Sequence, residues 1–189
     1  MIRLTPRAQW AVGLALVALM AMTRGQHFAS VNLPSASWAV FFLAGVLLVP
    51  RWVFPALFVE ASLLDFAAIQ FSGVGSYCVS PAYWMLVLAY GSLWFGGRVY
   101  ARLHRDRLSS LVVLAGCVML SAFVCYLFSG GGFLFFSGRY PDPSLAQLAE
   151  RIARYYPRYL GTLAFYVATA AMLFVGLRGW AAQRAEARP

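Results

Sequence analysis

Cys78 is the one cysteine of three that lies outside an apolar run, within the uncharged, turn-rich stretch Gly73-Val74-Gly75-Ser76-Tyr77-Cys78-Val79-Ser80-Pro81. A thiolate there is a ligand for a soft metal centre or a nucleophile. Cys117 and Cys125 fall inside a hydrophobic segment and read as packing residues. With neither a CxxC pair nor finger spacing, the cysteines argue against a zinc module or a dithiol redox motif.

Two carboxylates, Glu60 and Asp65, interrupt an otherwise hydrophobic stretch, where an ionisable group is costly unless it faces protein, water or ligand. Five residues apart, they diverge by about 140° around a helix and do not form one carboxylate pair. Asp65 reads as a cavity residue beneath the Cys78 loop, and Glu60, deeper, as a structural hydrogen-bond partner. Tyr77, Tyr83 and Trp84 flank Cys78 with flat faces and polar tips. They suit either an aromatic belt at the membrane surface or the walls of a planar ligand's site. His27 is a candidate ligand-binding residue in an outer loop, whereas His104, among Arg102, Arg105 and Arg107, reads as surface. Arg139, Arg151, Arg154 and Arg158 supply planar donors suited to phosphate, amide or carboxylate groups, with Arg151 the leading candidate for ligand contact.

These groups are positioned by a membrane protein. The 189 residues are 62% hydrophobic and only 11% charged, outside the soluble globular range. All 15 basic residues are arginine, and they flank apolar runs rather than forming a patch with interleaved aromatics, which argues for phospholipid headgroups and against nucleic acid. The apolar runs predict an all-α, six-span transmembrane protein of one domain, 1–189, with helices near 8–23, 37–50, 53–71, 82–100, 109–129 and 159–180. The first run lacks a small-x-small cleavage site after it and reads as a retained helix rather than a signal peptide.

Placing the N-terminus inside leaves ten arginines in cytoplasmic segments and five in outer loops, so both termini are expected in the cytoplasm and the Cys78 loop outside. The last outer loop, 130–157, is expected to be irregular over Gly130-Gly131-Gly132 and Tyr140-Pro141-Asp142-Pro143. Ser144 then caps a short amphipathic helix, 145–155, lying at the interface or over a cavity as a lid. Ala11, Ala15 and Ala18 give the first helix a small-residue face suited to close approach by another helix.

The length, six spans, inside termini, Ala11-xxx-Ala15 pair and Cys78 in the loop after the third span resemble the substrate-binding S-components of energy-coupling-factor transporters, and among them the BtuM type, solitary cobalamin S-components of Gram-negative bacteria. The resemblance implies residence in the inner membrane and cobalamin as the bound substrate, with Cys78 the axial cobalt ligand. It further implies thiolate displacement of the lower benzimidazole and loss of cyanide from cyanocobalamin, with Cys78 the reacting group. The Ala11 and Ala15 face would meet a transmembrane coupling subunit carrying two ATPases; the chain itself has no Walker loop. Asp65, Tyr77, Tyr83, Trp84, Arg151 and His27 are the other candidate binding residues.

Two other functions fit the same residues. Cys78 with an outer arginine and His27 outlines a membrane cysteine transpeptidase or protease of exosortase-like type, although no base lies near the thiol in sequence. A noncatalytic subunit, with Cys78 structural or paired to Cys125, is the third reading.

Overall fold

The computed structural model describes residues 4–24, 34–71 and 80–186, so Cys78, Tyr77 and His27 lie outside the described residues. The described chain is all helical: α1 (Pro6–Arg24), α2 (Ser37–Leu47), α3 (Val53–Phe71), α4 (Met85–Leu103), α5 (Ser109–Tyr126), α6 (Gly132–Phe136) and α7 (Leu145–Glu186). A single 3-10 turn, Pro81–Trp84, leads into α4.

The shortest of the large helices forms the centre. α2 is apolar all the way round, as a helix must be when every face meets protein. Val40, Phe41, Phe42 and Ala44 are fully enclosed. It approaches α4 backbone to backbone, because a Cβ on Gly45 would strike the Trp94 carbonyl and one on Gly97 would strike the Phe42 carbonyl. Glycine at both crossing points replaces the missing hydrophobic drive of a membrane interior with close packing. α4 then meets α5 where a Cβ on Gly96 would come within 2.6 Å of the Ser121 side chain. α1 closes the bundle through the buried Leu16 and Met20.

Three helices are long and apolar enough to cross a membrane: Val53–Phe71, Ser109–Phe136 and Leu145–Leu177. α2, with 11 residues, is about 16 Å long, roughly half the hydrocarbon thickness. Leu63, Phe66, Phe95, Leu120, Phe165 and Leu173 are exposed on the outside of the bundle, the arrangement that a lipid-facing surface requires.

The connection over 130–157 differs from the expectation at both ends. The glycine run does not break the chain: α5 continues through a π-helical turn, Leu127–Gly131, into α6. These glycines serve close approach rather than turning, since a Cβ on Gly130 would lie 2.9 Å from the Tyr126 ring and one on Gly132 2.8 Å from Met85. Only residues 137–144 are irregular. Beyond them there is no separate lid helix, because 145–155 is the first part of the 42-residue α7, which runs on through Pro157. Proline removes one backbone donor, and membrane helices absorb that loss through neighbouring groups. The start is as expected: the Gln147 backbone N–H donates to Ser144 Oγ and the Ser144 N–H donates to Gln147 Oε1, each at 3.2 Å, a reciprocal capping box.

Candidate functional site

At the end of the bundle where α1 and α3 finish and α2, α4 and α7 begin, the helices enclose a cavity of about 580 Å³. This lies within the roughly 300–1,000 Å³ span of small-molecule and cofactor sites. Its floor is polar, with Arg24, Asp65, Ser35 and Ser37, and its walls are aromatic, with Trp38, Tyr83, Tyr90, Tyr126 and Tyr159; Ser80 and Arg151 reach the same space.

Arg24 organises the floor. Its Nε donates to Asp65 Oδ1 and its Nη2 to Asp65 Oδ2, both at 2.7 Å, the fork geometry that arginine and carboxylate share. Nη1 donates to Ser37 Oγ at 2.9 Å and to Tyr90 Oη at 2.8 Å. Tyr83 Oη adds a bond to Asp65 Oδ2 at 3.1 Å. One guanidinium therefore ties the ends of α1, α2, α3 and α4 together, and both Asp65 oxygens are occupied. Tyr90 is held from behind by a stacked Phe41, with centroids 4.4 Å apart, and Trp38 stacks on Tyr159 at 5.1 Å, joining α2 to α7.

Arg151 enters from the α7 side. Nη1 donates to Tyr140 Oη at 3.0 Å, while the Arg151 carbonyl accepts from Tyr126 Oη at 3.0 Å. Its Nε is shielded from solvent with no hydrogen-bond partner among the described residues.

Of the residues expected from sequence, Asp65, Tyr83 and Arg151 share this one cavity. Trp84 does not: it is 73% exposed, because the 3-10 turn that points Tyr83 at Asp65 sends its neighbour outward. Glu60 also departs from expectation, since neither carboxylate oxygen has a hydrogen-bond partner among the described residues and the nearby Ser62 hydroxyl donates instead to the Phe58 carbonyl. Cys125 is a free and fully buried thiol, and Cys117 is free and half-buried. His104, at the opposite end, is held by Tyr100 Oη at 2.9 Å and stands 3.6 Å from Asp106.

Ala11 and Ala15 are exposed, each next to an exposed large side chain, Trp10 at 63% and Leu14 at 66%, while Gly13 turns toward Leu48 of the bundle. The small-residue face of α1 thus points away from the protein's own helices.

Arg24 is not among the site residues expected from sequence, because it reads as a headgroup anchor at the end of an apolar run. The signal that identifies it is the need of Asp65 for a countercharge within the membrane. Ser37, Trp38 and Tyr159 carry no individual sequence signal.

No group of three His, Cys, Asp or Glu side chains able to hold a metal occurs among the described residues. The described part of the cavity combines a paired polar floor with aromatic walls. Neither a family model nor a characterised protein matches the chain.

Proposed function

We propose that this chain is the substrate-capturing membrane component of a cobalamin uptake system, resembling the BtuM-type S-components. In this reading it passes through the bacterial inner membrane six times with both termini in the cytoplasm, and α2 is a short span shielded by its neighbours. The cavity opens outward, and cobalamin enters it from that side.

The observation that carries the reading is the convergence of Asp65, Tyr83, Arg151 and Ser80 on one aromatic-walled cavity. Ser80, which lines the cavity, follows Cys78 by two residues in the sequence. A corrinoid is a broad apolar macrocycle rimmed with amides, which suits aromatic walls and an edge of hydroxyl, guanidinium and carboxylate groups. Cys78 supplies the cobalt ligand: its thiolate takes the lower axial position from the benzimidazole and adds electron density that weakens the upper cobalt–cyanide bond. The exposed Ala11 and Ala15 face is the docking surface for a coupling subunit with two ATPases.

The exosortase-like alternative depends on His27 for its base, and His27 lies outside the described residues. Gel filtration of the purified protein after incubation with cyanocobalamin tests the reading. Co-elution of one corrinoid per chain is expected; folded protein that elutes free of corrinoid would refute it.

A further inference from the structure

We propose that a second, smaller cavity beside the first is a phosphodiester subsite, built by Arg151 and Arg154 of α7; on the cobalamin reading above, it receives the phosphodiester of the nucleotide tail. This cavity measures about 220 Å³ and is lined by Tyr140, Gln147, Glu150, Arg151, Arg154 and Tyr155, with Leu134 at its base. Gln147, Arg151 and Arg154 recur at spacings of four and three, so the capped first turns of α7 present them on one face.

Four features point to a monoanionic ester. Arg154 has no ion-pair partner among the described residues and rests over the Tyr155 ring at 5.5 Å. The Arg151 guanidinium lies 5.3 Å over Tyr140 and bonds its hydroxyl through Nη1, yet its Nε is buried and unpartnered. Gln147 uses Oε1 in the capping box, which leaves its amide NH₂ as a donor. Finally, Glu150 also faces this space, so two arginines and one carboxylate leave one net positive charge, the complement of a phosphodiester's single negative charge.

Position gives the subsite its purpose. Arg151 and Tyr155 line both cavities, so the two share a wall, and the smaller holds an ester group while the larger holds a macrocycle. Thiolate ligation of cobalt by Cys78 releases the benzimidazole, and with it the phosphate-bearing tail that the second cavity suits. A phospholipid headgroup offers the same phosphodiester from the membrane.

The test uses full-length protein in phosphatidylcholine nanodiscs containing some phosphatidylglycerol, and compares cobalamin with cobinamide, which lacks the nucleotide and its phosphate. Arg154 is exposed, so Arg154→Gln and the charge-keeping Arg154→Lys leave packing intact, and unchanged thermal unfolding verifies this. Arg154→Gln is expected to weaken cobalamin binding about tenfold and leave cobinamide binding unchanged, with Arg154→Lys partly restoring the difference. An unchanged cobalamin-to-cobinamide ratio, together with loss of phosphatidylglycerol retained in native mass spectrometry, assigns the subsite to lipid. If both ratio and lipid retention are unchanged, the subsite is wrong. If wild-type protein binds neither corrinoid, the cobalamin reading fails, and the lipid measurement still decides the subsite.

Discussion

Arg24 and Asp65 stand 41 positions apart and meet as a two-pronged ion pair on the cavity floor, with both bonds at 2.7 Å and the side chains only 12% and 20% exposed. The pair joins the end of α1 to the end of α3, and its spare donors hold Ser37 of α2 and Tyr90 of α4. It closes the bundle at the end where the ligand is proposed to enter.

Removing one partner strands the other's charge. Arg24→Ala is expected to lower stability toward the low end of about 3–5 kcal/mol, given the residual exposure of Asp65. Arg24→Lys recovers little, since an ammonium cannot reproduce the fork. The Arg24→Ala/Asp65→Ala double variant is expected to be less destabilised than the sum of the single variants. Thermal unfolding of these three variants, Asp65→Ala and the wild type in one detergent checks this, and additive losses would show that the pair is not coupled.

Tyr83 and Trp84 are adjacent and make opposite predictions. Tyr83→Phe loses the bond to Asp65 and is expected to weaken corrinoid binding several-fold, about 1 kcal/mol. Trp84→Ala is expected to leave it unchanged, because that ring faces away from the cavity. Titration of corrinoid absorbance for both variants decides the matter, and equal losses would contradict the orientation of the 3-10 turn.

The α2–α4 crossing is expected to reject even one methyl group. Gly97→Ala or Gly45→Ala drives a Cβ into a backbone carbonyl that cannot move aside, so a loss of about 3 kcal/mol or failure to assemble is expected. Gly116→Ala and Gly161→Ala meet nothing within 4 Å and are expected to be neutral or to stabilise by up to about 1 kcal/mol. Fluorescence-detected gel filtration after a heating series separates the two pairs.

Asp65 is legible in sequence because a charge within an apolar run is expensive and must have a purpose, and Arg151 because it is a planar donor on an amphipathic segment. The partner of Asp65 is not, since arginine at a helix end has an ordinary explanation in headgroup contact and only the fold brings residues 24 and 65 together. Gly130 and Gly132 mislead for a related reason: local rules read glycine as a breaker, whereas their role is set by Tyr126 and Met85 on neighbouring turns and helices. Pro157 misleads likewise, because the rule that ends helices at proline weakens where packing holds the helix together. The shortness of α2 is plain in sequence, but its central position follows only from Gly45 and Gly97 meeting across a crossing that no local pattern specifies.

The most direct test of the account is the visible spectrum of the purified protein after cyanocobalamin loading, beside Cys78→Ala. Ligation of cobalt by the thiolate predicts a retained corrin band that is shifted in the wild type and unshifted or lost in the variant, with free cyanide released only by the wild type. The same unshifted band in both proteins would contradict cobalt ligation by Cys78, and no band in either would contradict cobalamin capture itself.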